Sequence, residues 1–139
     1  MTDLFADTVT IFNDIPATDS TPRIFTKHLI KKCSISRASV EVMDGTIRRI
    51  QNRITVITKD VEYYQDPEIY AKSSQNSRTE HFTVKTGDYI VLDICNDTVT
   101  NAQEFAELQV KYKDNGFKVV TVNPSIKGMS VDNILMTNT

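Results

Sequence analysis

Val40-Glu41-Val42-Met43-Asp44-Gly45-Thr46-Ile47-Arg48-Arg49 is the stretch from which the fold is read. Two arms meet at Asp44-Gly45, the strongest turn signal in the chain. Both central residues of a type I′ turn need positive φ, and Asp-Gly supplies it at low cost. A β-hairpin over residues 33–58 follows. Its outgoing arm carries Cys33, Ile35, Val40 and Val42 at period-two spacing, with serines and Glu41 between. The apolar register shifts at Arg37-Ala38, which predicts a bulge there. The return arm runs from Thr46-Ile47 through Ile54-Thr55-Val56-Ile57-Thr58.

The same region collects positive charge. Arg23, Lys27, Lys31, Lys32, Arg37, Arg48, Arg49 and Arg53 are opposed there only by Glu41 and Asp44, while the whole chain of 139 residues has 16 Lys and Arg against 18 Asp and Glu. That asymmetry points to docking and not to turnover. The basic hairpin has three readings: contact with nucleic-acid phosphates, contact with an acidic neighbouring protein whose charge fixes orientation, or a solvated face with no partner. Arg37, Asp44, Gly45, Arg48, Arg49 and Arg53 are the interface candidates. A net charge of −2 argues against a general nucleic-acid binder. Only Phe25 is interleaved with the basic residues, so stacking on single strands is disfavoured.

On the N-terminal side, residues 1–7 read as a short arm without a secretory pattern. Thr8-Val9-Thr10-Ile11-Phe12 reads as a first strand. On the C-terminal side, residues 59–80 form a long polar stretch read as a loop. Tyr63, Tyr64 and Tyr70 there are either an aromatic docking surface or the closure of one end of the domain. Tyr89 to Cys95 is a nearly continuous apolar run, read as the most buried strand. One helix is specified over 101–115. Thr100 and Gln103 stand at capping-box spacing, and Phe105, Leu108 and Tyr112 form one apolar stripe before Asn115-Gly116 stops it. Phe117 to Val122 and Met129 to Met136 complete the strands, with Asn123-Pro124 ending the former. The sum is a single, mainly β domain with one packed α-helix: a small β-barrel or sandwich with a projecting hairpin and a long polar loop.

Chemistry is sparse. His28, Cys33, His81 and Cys95 fall on separate elements without metal-ligand spacing, and the two cysteines read as buried thiols. His28 and Cys33, an odd number of residues apart on a strand, are expected on opposite faces. Asp88 and Asp97 read as turn and loop residues. Asp93 interrupts an apolar strand and reads as a rim position. No glycine-rich phosphate loop or nucleophile elbow is present in the sequence. No apolar run approaches the ~20 residues of a membrane span. No catalytic residue, metal or cofactor is expected.

Three segments carry a family resemblance. Phe5 to Asn13 resembles the opening of the small minor capsid, or head-closure, proteins of long-tailed bacteriophages. Arg23 to Ser36 is similar to the second strand region of that family. Thr86-Gly87-Asp88-Tyr89-Ile90-Val91 resembles its strongest local signature. The family's tryptophans are replaced here by Ile24 or Phe25 and by Ile35, and its C-terminal His-Trp is absent. The resemblance implies a small β-barrel that forms a ring, typically six-fold, in the phage neck. Such a ring lies between the portal and adaptor on the head side and the tail terminator or tube on the other, around packaged DNA. It implies a virion protein made in the host cytoplasm, without enzyme activity, cofactor or membrane partner. The alternatives are a tail terminator or tail-tube-like ring protein and, from another class, a small soluble enzyme or ligand-binding barrel.

Overall fold

A computed structural model describes residues 6–19, 22–128 and 130–139. One seven-stranded antiparallel sheet organises the chain, in the order β5-β4-β1-β2-β3-β7-β6. Its strands are β1 (Asp7–Ile15), β2 (Ile24–Asp44), β3 (Ile47–Thr58), β4 (Tyr89–Val91), β5 (Gly116–Lys118), β6 (Thr121–Lys127) and β7 (Ser130–Thr137). The mainly β class with a packed helix is therefore as read from the sequence. The edge strands β5 and β6 are consecutive along the chain, joined by Val119-Val120, and are not hydrogen-bonded to each other. The sheet curls around its core without closing into a barrel.

Both faces of the sheet are covered at its middle, which is why β1 is buried almost without interruption. On the inner face, Val9, Ile11, Ile30, Cys33, Val56, Ile90, Ile134 and Met136 pack with Phe82 and Val84. On the outer face, α3 (Ala102–Lys111) lays Phe105 and Leu108 on Phe12, Tyr89 and Val91, the stripe read from the sequence. The cap lies one residue later than expected. Asn101 accepts from the Glu104 amide (2.8 Å), and the Glu104 carboxylate accepts from the Thr100 amide (3.0 Å). The buried strand over 89–95 is only three residues long. Thr10 Oγ1 donates to Asp93 O (2.8 Å) and accepts from the Cys95 amide (3.0 Å), which bends the chain out of the sheet and leaves Asp93 exposed on the rim.

Other local expectations are corrected. Pro124 does not end a strand: it sits inside β6, an edge strand, where its missing N–H costs no ladder bond. The long loop over 59–80 contains α1 (Pro67–Lys72), capped by Asp66, and α2 (Gln75–Glu80), capped by Ser74. The expected arm over 1–7 lies outside the described residues up to position 5, and Asp7 already belongs to β1; Met129 lies outside them too.

A candidate interface: the projecting ribbon

β2 and β3 pair without interruption from Cys33 with Thr58 to Asp44 with Ile47. The turn is Gly45-Thr46, one residue later than read. Gly45 has φ +65° and Thr46 does not share the positive sign, the pattern of a type II′ turn with glycine first. No bulge occurs at Arg37-Ala38. The irregularity lies at Lys32 (φ +53°), where β1 slips from Ile30 opposite Val9 to Cys33 opposite Asp7. That slip returns Cys33 to the inner face, which His28 shares through its pairing with Ile11. The two residues are therefore on one face and not on opposite ones.

The hairpin outgrows the sheet. β1 leaves β2 at Cys33, and β7 leaves β3 at Thr55. Asn138 follows β3 slightly further: its side chain accepts from the Ile54 amide (2.9 Å) and donates to Asn52 O (3.0 Å). Beyond that point, among the described residues, the two arms pair only with each other. Six residues per arm extend about 20 Å at ~3.3 Å per residue. A two-stranded ribbon is marginally stable alone. This one exposes Met43 (60%), Ile47 (65%) and Ile50 (78%).

The register divides its charges. Arg37, Glu41, Met43, Arg48 and Ile50 continue the inner face, while Val40, Val42, Ile47, Arg49 and Arg53 share the other. Arg48 and Arg49, read together in the sequence, point to opposite sides. Arg48 pairs with Glu41 on its own face. Arg53 Nε donates to Thr139 Oγ1 (3.0 Å). Two of the eight cations are engaged far from the ribbon: Arg23 pairs with Asp14 (2.5 Å), and Lys27 Nζ donates to Asp97 O (3.0 Å).

The tyrosines separate. Tyr63 is half exposed, edge-on to His81. Tyr64 packs on Phe82 and the inner core. Tyr70 is fully buried, so it takes no part in a surface of this fold. Its hydroxyl donates to Thr26 Oγ1 (3.0 Å) and lies 3.2 Å from His28 Nε2. Burial holds the His28 pKa below its ordinary value and pushes that of Tyr70 up. Of the three tyrosines, Tyr70 is thus packed inside the fold, Tyr64 lies against the core, and Tyr63 stands at the surface.

The Tyr70 network continues into a hub that the sequence reading missed. Thr26 Oγ1 donates to Asn13 Oδ1 (3.0 Å), and Asn13 Nδ2 donates to Asp88 Oδ2 (2.7 Å). Fully buried Asp88 also accepts from the Lys85 amide (2.9 Å) and the Asp14 amide (3.1 Å), and pairs with Lys85 Nζ (3.1 Å). Gly87 (φ +99°) makes the turn that aims it inward. These bonds satisfy one another and serve the fold. Burial likewise pushes the Cys33 thiol up to about 11, away from thiolate chemistry. Both cysteines are buried and free. Among the described residues no three His, Cys, Asp or Glu side chains stand close enough to hold a metal ion.

Among the described residues, the ribbon is thus the element that the packing of the sheet does not account for. No curated protein and no solved structure matches the chain. Residues 4–135 match a family of unknown function, DUF6751, and the chain belongs to that family.

Proposed function

We propose that the chain is a structural subunit of the neck of a long-tailed phage, a ring-forming head-closure or connector protein that meets its neighbours through the ribbon. The resemblance of its N-terminal, second-strand and Gly87-Asp88 segments supplies the family of parts. One observation supports the docking role: among the described residues the ribbon's two arms pair only with each other past Asn52, and Met43, Ile47 and Ile50 are exposed. Each such side chain is worth about 1.5–3 kcal/mol on full burial. A partner surface recovers that energy and rigidifies the arms, and the arginines set its orientation.

The test is the composition of particles. In tailed virions purified from a host carrying this gene, mass spectrometry finds the chain at ring stoichiometry, and antibody–gold labels the head–tail junction. Substituting Arg49→Glu or Ile50→Ser leaves the fold intact and yields heads that leak DNA or lack tails. Absence from tailed virions refutes the reading. Label at the distal end of the neck or along the tail favours a tail terminator or tube protein instead.

A further inference from the structure

The outer edges of the sheet and those of the ribbon are built differently. β5 is three residues long, and β6 carries Pro124 and a register shift between Ser125 and Ile126. Short strands, prolines and bulges keep a sheet edge from pairing with another chain. The ribbon has none of them. From Ser34 to Asp44 and from Ile47 to Arg53 there is no proline or glycine, and the register is unbroken.

The two-residue turn fixes which backbone groups face outward. Asp44 opposite Ile47 closes it as a hydrogen-bonded pair. The N–H and C=O groups of Ser39, Glu41 and Met43 on β2, and of Arg48 and Ile50 on β3, therefore point away from the ribbon. Asn138 obeys the same parity, because it bonds the Ile54 amide and Asn52 O on the outer side of β3. Among the described residues, no third strand pairs with β2 or β3 at those five positions.

Charge decides which edges fit. β3 carries Arg48, Arg49 and Arg53, which oppose a second β3 laid alongside, whereas β2 carries Glu41. Inside the ribbon, Glu41 lies opposite Ile50 and Val42 opposite Arg49, each a charge against an apolar side chain. A β2 strand laid on the outer side of β3, shifted by two residues from that register, puts Glu41 opposite Arg48 and Val42 opposite Ile47. This shift keeps the outward backbone groups of the two strands in phase, and it keeps each facing pair on one side of the ribbon.

We infer that the outer edge of β3 in one copy pairs antiparallel with the outer edge of β2 in a second copy, with Arg48 opposite Glu41 and Ile47 opposite Val42. This pairing deepens the reading of the chain as a ring subunit and rests on that reading for the way the contact repeats. It uses both edges of every ribbon, whereas β2 laid on β2 leaves β3 bare. Subunits related by rotation about an axis along the ribbons point them the same way. β3 of one then runs antiparallel to β2 of the next, and the head-to-tail contact repeats until the ring closes.

The test is a disulfide between copies. Val42→Cys and Ile47→Cys are made in separate full-length chains with tags of different mass, then mixed, concentrated and oxidised. In the inferred register the two positions form a non-hydrogen-bonded pair, whose Cα separation of about 4.5 Å suits a disulfide. The native Cys33 and Cys95 are buried. The mixture gives a disulfide-linked heterodimer, and neither variant alone gives a dimer. Ile50→Pro, added to the Ile47→Cys chain, removes an N–H that points out of the ribbon and lowers the heterodimer yield about tenfold, with the circular dichroism of the parent retained. A mixture that yields no more dimer than the single variants overturns the inference. So does equal cross-linking of Val42→Cys to Arg49→Cys, which marks the unshifted register. A heterodimer from a chain that is absent from tailed virions leaves the pairing and removes the neck reading. A chain found at the head–tail junction whose mixture gives no heterodimer removes the pairing and leaves the neck reading.

Discussion

Asp88→Asn is the most informative single substitution in the fold. Every group around the Asp88 carboxylate is a donor. Oδ2 accepts from Asn13 Nδ2 and the Lys85 amide; Oδ1 accepts from the Asp14 amide and meets Lys85 Nζ. Burial pushes the carboxyl pKa up, against the pull of Lys85 and the hydrogen bonds. A proton on Asp88 would nonetheless face donors on all sides, so the group works as a carboxylate. An isosteric amide must turn its NH₂ toward two of those donors. The cheaper orientation puts it at the Oδ1 position, because the Lys85 ammonium is partly exposed and can turn to water. The Asp14 amide is then left without an acceptor, at about 1–3 kcal/mol, and the charge assistance to the remaining bonds is lost. The expected cost is about 2–4 kcal/mol, a large fraction of the roughly 5–15 kcal/mol that stabilises a domain. Asp88→Ala, which strands both backbone amides, costs about 3–5 kcal/mol. Urea denaturation at pH 7 measures both, read as a lower midpoint at unchanged slope. An Asp88→Asn variant within about 0.5 kcal/mol of the parent would show that the charge and second acceptor are dispensable, and the hub argument would fall.

Gly116→Ala destabilises by about 1–3 kcal/mol through overpacking. Its Cβ would lie 2.7 Å from Ile90 O and 2.8 Å from the Tyr89 ring, which the Tyr89 hydroxyl holds in place by donating to Tyr112 O (3.1 Å); an unchanged melting temperature would refute the contact. Because burial depresses the His28 pKa from 6.5, its contribution to stability is complete above pH 6.5 and is lost as pH falls through the folded-state value. NMR titration of the His28 ring gives a midpoint below 6.5, and His28→Gln flattens the stability slope between pH 7.5 and 5.5; a midpoint at or above 6.5 contradicts the burial argument.

The parts of the fold legible in the sequence are those specified locally. Alternating residues and Gly45 announce the hairpin, and Phe105 with Leu108 announces the helix and its buried side. Errors of one residue at the turn and at the α3 cap arise because Asp44-Gly45 and Thr100 compete with equally good neighbours, Gly45-Thr46 and Asn101. The helices in 59–80 had local signals too, in Asp66-Pro67 and in Ser74, but each helix is six residues long and neither carries an apolar stripe. The burial of Tyr70 was not legible, because its partners Thr26 and His28 lie more than 40 residues away. Asp88 was read as an ordinary turn residue for the same reason: Asn13 is 75 residues away.

The misread bulge at Arg37-Ala38 bears most directly on function. Inside the sheet, one face of the hairpin is apolar: Cys33, Ile35, Ile54 and Val56 all turn toward the core. Past Arg37 that rule stops. Met43 and Ile50 remain on the inner face, but Val40, Val42 and Ile47 appear on the other. A bulge would restore a single apolar face; unbroken pairing shows that there is none to restore. A ribbon bound for solvent gains nothing from apolar residues on either side. One that lies flat on a neighbour needs them on one side only. Large side chains on both sides, with an arginine on each, suit a ribbon gripped between two surfaces. For a subunit in a stack of rings, those would be the neighbour beside it and the ring it meets end to end.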